Sequence, residues 1–236
     1  MSELLENIKK FYQKGYKKKG EYFQRRYPNE ELCRFFGRNY FSTQLKKREK
    51  IKILETGCGS GGNLRMISEE GFSTYGIDLS SESIKLCKKI LKKKKLKCNL
   101  ENGNFVNTPY KSRYFDSVID VFSSCCLDRA NGKLFLKEVN RILKKNGKFF
   151  SYFPSKRSDM FKNPTVKKLD PDTLKSIKSK TAINIDCALR FMSPTQYASL
   201  LKKNGFKVTY LETLMKTYHF QKEKFFFVII EASKIK

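Results

Sequence analysis

From residue 51 onward, short apolar runs alternate with stretches in which apolar residues recur every three or four positions. A parallel sheet joined by crossover helices has this pattern. Residues 51–55 predict a first strand, followed by a glycine-rich loop and a helix through Ile67. Residues 73–77 predict a second strand, and Ser80 stands where it can cap the next helix, whose Ile84, Cys87 and Leu91 share one face. A third strand is expected near 98–101 and a fourth at 115–121, with Val118, Ile119 and Val121 as its apolar content. Phe135, Val139, Ile142 and Leu143 mark another helix. Lys144-Lys145-Asn146-Gly147 should end it, with cations near the negative end of the helix dipole and glycine for a left-handed turn. Residues 149–153 predict the fifth strand.

Residues 154–190 are polar and lysine-rich with little periodicity, and read as an insertion over one end of the sheet. Ser193-Pro194-Thr195-Gln196 is a helix start: serine as cap, proline at the first helical position, glutamine closing a capping box. That helix should stop at Asn204-Gly205, with strands near 207–214 and 225–232 completing the chain. The link between these two is too short for a helical crossover, so they should form a hairpin with one antiparallel edge strand. The fold expected is α/β: a Rossmann-like, doubly wound sheet of seven strands, mostly parallel, with an antiparallel edge hairpin.

Residues 1–50 differ in character. Leu4, Ile8, Phe11 and Tyr12 make one helical stripe, and Leu32, Phe35, Phe36 and Tyr40 make another; the segment between them is polar and aromatic. The expected organisation is an amino-terminal helical extension over 1–50 and one domain over 51–236 that carries the 154–190 insertion. The extension suits either a lid over the mouth of the sheet or an appendage covering an edge.

Composition changes the picture in three ways. The hydrophobic fraction of 39% supports one sizeable core, while the longest apolar run, 225–230, is far short of the ~20 residues a membrane-spanning helix needs. The amino terminus carries acids early and no apolar signal core, which argues against export. Seven cysteines, an odd count without CxxC or metal-ligand spacing, point to reduced thiols, a cytoplasmic setting and no metal site. The net charge of +27 raises the question of nucleic acid, because clustered cations neutralise phosphates. The lysines are spread along the whole chain, however, and recur at helix ends, which favours a solvated surface over a nucleic-acid interface. An anionic small substrate also suits a cationic protein, through long-range attraction.

The chemistry is concentrated at Glu55-Thr56-Gly57-Cys58-Gly59-Ser60-Gly61-Gly62-Asn63. Glycines at a strand-to-helix turn let backbone approach a ligand, and the helix amino end offers unpaired N–H groups. Gly57, Gly59 and Gly62 also satisfy the dinucleotide spacing GxGxxG. Asp78, ending the second strand, can accept from two ribose hydroxyls in either kind of site. Glu55 separates them: a carboxylate there would repel a pyrophosphate but favour an ammonium and a sulfonium. Asn104 and Phe105, after the third strand, offer an amide and an aromatic ring to an adenine.

Together these motifs resemble, in order, the class I S-adenosylmethionine-dependent methyltransferases of the small-molecule type. The resemblance rests on ILETGCGSG, YGIDLS, GNF, FDSVIDVFSSCCL and EVNRILKKNGKFF, with RFMSPTQYASLLKKNGFKV resembling the family's last helix and sixth strand. It covers residues 51–153 and 190–232. It implies that S-adenosylmethionine is the donor and S-adenosylhomocysteine the product. Gly57, Cys58, Gly59 and Gly61 would wrap the methionine end, supported by Glu55; Asp78 would bind ribose; Leu79 and Phe105 would lie against adenine. Asn104 stands where the family usually has Asp, and Asp120 and Val121 would line the methyl-transfer cleft.

For the acceptor the resemblance implies a small metabolite of the kind handled in bacterial pathways, and the cationic balance suits an anionic one, phosphorylated or sugar-linked. The alternative is an RNA- or protein-modifying enzyme, although the fourth strand lacks the proline signature of amino-methylating nucleic-acid enzymes. His219, the lone histidine, is either a general base or a surface turn residue. Tyr16, Arg25, Arg26 and Tyr27, between the two amino-terminal stripes, are the expected acceptor contacts, with the arginines as anion forks. The oligomeric state is left open.

Overall fold

Four of the five residues of β1 (Lys52–Thr56) are buried, as a central parallel strand covered on both faces requires. β2 (Ser73–Asp78) and β4 (Phe115–Val121) flank it in parallel, and β3 (Asn99–Asn102) continues beyond β2. β5 (Leu143–Pro154) pairs in parallel with β4. β9 (Phe206–Tyr218) and β10 (Glu223–Lys234) complete a seven-stranded sheet in the order β3-β2-β1-β4-β5-β10-β9. This computed structural model describes residues 2–175 and 187–235.

The antiparallel strand is β10, which pairs antiparallel with both β5 and β9. The edge strand β9 therefore runs with the others, and the reversed strand lies one place inside the edge. The cause is the connection: α8 (Pro194–Lys203) carries the chain across to β9, and the hairpin return then fills the gap beside β5. Ser193 caps α8 in the expected capping box with Gln196.

The other crossovers are α4 (Gly62–Glu69), α5 (Ser81–Lys93) and α6 (Arg129–Ile142). The run expected to end α6 instead starts β5 directly at Leu143. Lys144 reaches the Asp116 carboxylate at 2.7 and 2.8 Å, while the carbonyls of Asn140 and Leu143 accept from Lys234 Nζ at 2.6 and 3.0 Å. The cation at the helix's carbonyl end thus comes from the far end of the chain.

Residues 1–50 divide into two parts. α2 (Glu30–Asn39) belongs to the core: Leu32, Phe35 and Phe36 are fully buried, with Phe35 5.1 Å from Phe150 and Phe36 5.3 Å from Phe72, ring centre to ring centre. α1 (Glu3–Lys19) is amphipathic and lies against α5. Gln13 bonds Ser81 at 2.9 Å and Ser80 at 3.0 Å, and Leu5, Ile8 and Tyr16 are buried. Between them, residues 20–29 form a strap. A short turn, α3 (Leu45–Arg48), leads into β1.

In the insertion, α7 (Asp159–Lys162) precedes a small sheet of β6 (Lys168–Asp170), β7 (Thr173–Leu174) and β8 (Leu189–Arg190). Its middle, 176–186, lies outside the described residues. No helix among the described residues is long and apolar enough to cross a membrane, and none of their His, Cys, Asp and Glu side chains cluster as a metal site.

Candidate active site

The sheet order reverses between β1 and β4, and the crevice at the carboxyl ends of such strands is where open α/β sheets take ligands. A cavity of about 300 Å³ opens there, bounded by the glycine loop, the tips of β2 and β4, α1 and the strap.

The loop is held by its own polar contacts. Asp78 accepts from Gly59 N at 2.9 Å and from Ser80 N at 2.8 Å. Burial raises its pKa, and these two N–H bonds oppose the rise. Gly57 has φ 63°, and a side chain there would strike Ser123 Cβ at 2.3 Å, so glycine is required on both counts. Gly61 precedes α4 in the cap position and has no side chain to cap it, leaving the helix's first N–H groups to a ligand.

Glu55 is buried at the tip of β1. Asn63 Nδ2 donates to its Oε1 at 2.5 Å, and Asn63 Oδ1 accepts from Asn29 N at 2.9 Å, tying the strap to the carboxylate. Its other oxygen, Oε2, is buried without a hydrogen-bond partner. Burial pushes the carboxyl up to about 8, against the lowering effects of Asn63 and Arg25.

Gly57, Cys58, Leu79, Phe105 and Val121 stand on the cavity wall with Glu55 and Asp78, as the motifs imply. Phe105 is steadied by edge contact with Phe135 at 5.5 Å. Gly59 and Gly61 shape the loop from behind: a side chain on Gly59 would meet Gln24 and Tyr16, and one on Gly61 would meet Cys87.

Two donor-side expectations are corrected. Asp120 is fully buried and faces away from the cavity, because neighbouring strand residues point to opposite faces and Val121 takes the wall. Its carboxylate accepts from Ser124 Oγ at 2.5 Å, Ser151 Oγ at 2.8 Å, Ser124 N at 2.9 Å and Ser123 N at 3.3 Å. Ser123 Oγ lies 2.7 Å from both Asp120 Oδ1 and Thr56 O. Asp120 thus anchors the turn after β4 to β5. Asn104 does not reach the wall either, since its carbonyl accepts from Val106 N at 2.9 Å in a local turn.

On the acceptor side, Arg25 and Tyr27 line the cavity, whereas Tyr16 and Arg26 do not. Tyr16 is buried beneath the strap and donates to Gln24 Oε1 at 2.5 Å; Arg26 turns to the strap's opposite side. His219 sits in the β9–β10 turn at φ 52°, half-exposed, with Nε2 3.7 Å from Glu223, and is not on the wall. Among the residues that motif reading missed are Ile8, Lys9, Phe11 and Tyr12 of α1, Phe23 of the strap, and Phe122, which has φ 59°. The helical stripe in α1 was the available signal for three of them, but a stripe alone does not say which partner it faces.

Known proteins agree with this fold. A family model described as a methyltransferase domain matches residues 54–151. The cycloartenol-C-24-methyltransferase of Arabidopsis thaliana is 29% identical over 87% of this chain and 60% of its own length. The fatty-acid O-methyltransferase of Mycolicibacterium smegmatis is 30% identical over 67% of this chain and 56% of its own. The chain therefore spans about three-fifths or less of these two characterised relatives. A solved S-adenosylmethionine-dependent methyltransferase from Methanosarcina mazei superposes with a TM-score of 0.67 at 19% identity, covering 78% of this chain and 92% of that one. With this loop and these similarities, residues 54–151 carry a methyltransferase domain, on the fold of the S-adenosylmethionine-dependent methyltransferases.

Proposed function

We propose that the chain transfers a methyl group from S-adenosylmethionine to a small acceptor that joins an apolar body to an anionic group. The residues present fit the donor. Glu55 Oε2, buried and unpartnered, is an acceptor for the donor's ammonium, and Asp78 keeps lone pairs for ribose hydroxyls. Leu79 and Phe105 offer an apolar slot to adenine, and the open N–H groups of α4 suit its carboxylate. The donor supplies a methyl carbon already activated by its sulfonium.

The observation that carries the acceptor assignment is the wall opposite the glycine loop. Ile8, Phe11, Tyr12 and Phe23 make it apolar, and Arg25 places a guanidinium beside it. At about 300 Å³ the cavity is at the small end of ligand sites, which run roughly 300–1,000 Å³, so donor and acceptor together must fit closely. That favours a small molecule over a polymer. The cycloartenol and fatty-acid methyltransferases, named for largely apolar substrates, support the apolar part of the reading. A carboxylate or phosphate oxygen is already deprotonated, so the wall has only to position it and exclude water, without a general base.

The test is incubation with methyl-labelled donor and three acceptor sets: fatty carboxylates, their uncharged amides, and total RNA with protein. Label on the carboxylates and not on the amides is expected. Label confined to RNA or protein would overturn the assignment.

A further inference from the structure

The strap has a second concave face. Behind it lies a separate cavity of about 210 Å³, bounded by the strap, the start of α4 and the outer side of α5. Six cations line it: Arg25, Arg26, Arg65, Lys89, Lys93 and Lys94, against one carboxylate, Glu21. No ion pair among the described residues engages any of the six. Elsewhere the chain pairs its arginines where carboxylates are near, as Arg38 does with Glu231 and Arg141 with Glu138.

Two further observations favour an anion at this site. Arg65 donates from Nη1 to the Arg26 carbonyl at 3.3 Å, yet its Nε is buried without a partner. A buried N–H left unmade costs free energy, and on a guanidinium it is suited to an anionic oxygen. Gly62 also lines the cavity, and the Arg25 carbonyl lies 2.7 Å from where its Cβ would stand. Strap and helix end therefore meet too closely for any side chain to occupy the space. Six like charges around one concavity raise a positive potential of several kT, and a polyanion relieves it.

We propose that this cavity binds a small phosphate-bearing ligand with two or more linked phosphates, distinct from the methyl donor. Arginine forks and lysine point charges are the side chains that hold such groups. A cavity of about 210 Å³ fits a compact headgroup rather than the continuous track a nucleic-acid backbone needs. Because Arg25 borders both cavities, the bound phosphates would hold the strap against α4 and so fix one wall of the methyl-transfer site.

Inorganic tripolyphosphate is the probe, titrated calorimetrically into the full chain without donor or acceptor, so the result is independent of the acceptor assignment above. The comparison protein is the double variant Lys89→Glu, Lys93→Glu, on the outer side of α5 and off the donor cavity. Saturable binding at physiological salt, weakened at least about tenfold in the variant while S-adenosylhomocysteine affinity is kept, is expected because reversing two of six facing charges lowers the local potential steeply. The retained product affinity reports an intact fold. No saturable binding, or equal binding by the variant, overturns the proposal. So does tight binding of an RNA oligonucleotide that the variant loses while tripolyphosphate fails to bind, which would assign the cavity to nucleic acid.

Discussion

The two walls of the methyl-transfer cavity are built on different principles. On the glycine-loop wall, Asp78 holds two backbone N–H groups, Glu55 is held by Asn63, and Asp120 behind them gathers serine hydroxyls and amides from two elements. On the α1 and strap wall, the residues meeting the cavity include Ile8, Phe11, Tyr12 and Phe23, with Lys9 and an exposed Arg25 whose side chain makes no hydrogen bond or ion pair to another described residue. A donor that does not change is met by a rigid, hydrogen-bonded surface. Under the proposed function, an acceptor that differs between relatives would be met by apolar packing and two uncommitted charges, Lys9 and Arg25, which can be altered without disturbing the sheet.

The contrast can be broken most severely at Asp120. Asp120→Ala should cost on the order of 3–5 kcal/mol, because it leaves several buried donors unpaired, and urea unfolding would read it. A loss under about 1 kcal/mol would mean the anchor is dispensable.

Glu55 comes next. Its folded pKa, about 8, lies above the ordinary 4.5, so the folded protein keeps a proton that the unfolded chain releases. Its contribution is therefore greatest below about pH 4.5 and lost as pH rises through 8, a decline on the order of a few kcal/mol. Glu55→Gln should flatten that slope in donor-free protein. An ammonium beside Oε2 would draw the pKa back down, so S-adenosylhomocysteine binding near pH 7 should release protons in the wild type and fewer in Glu55→Gln. Calorimetry in buffers of different ionisation enthalpy measures both; equal proton release would remove Glu55 from the ammonium site.

Arg25→Ala should raise the acceptor's KM by roughly ten- to a hundredfold, the worth of a charge-assisted hydrogen bond, while product affinity changes little. A fall in kcat with KM unmoved would instead mean that the strap acts on the chemical step. The smallest effect is expected at His219: His219→Ala, off the cavity wall, should leave kcat and KM within about twofold. A tenfold loss would show that the hairpin turn reaches the acceptor.

What could be read along the chain follows the same division. The strands, the glycine loop and Asp78 were legible because each leaves a local mark: an apolar run, a glycine spacing, an acid at a strand end. Asp120 was misplaced because strand alternation decides which of two adjacent residues faces the cleft, and the carboxylate's serine partners come from the turn after β4 and from the neighbouring strand β5. Asn104 was misplaced because an amide after a strand serves a turn as readily as a ligand. The division of residues 1–50 was hidden for another reason. The stripes of α1 and α2 look alike, and only packing shows that Phe35 and Phe36 complete the core while Phe11 faces the cavity.

The central claim is that the glycine-loop wall alone supplies the donor site. Titration of S-adenosylhomocysteine into the wild type, Asp78→Ala and Arg25→Ala tests it most directly. The account predicts tight binding by the wild type and Arg25→Ala. For Asp78→Ala it predicts a loss of about a hundredfold or more, from two hydrogen bonds to a charged group and the loosened Gly59 turn. Equal binding by the wild type and Asp78→Ala, or a preference of the wild type for NAD over the methyl-donor product, would contradict it.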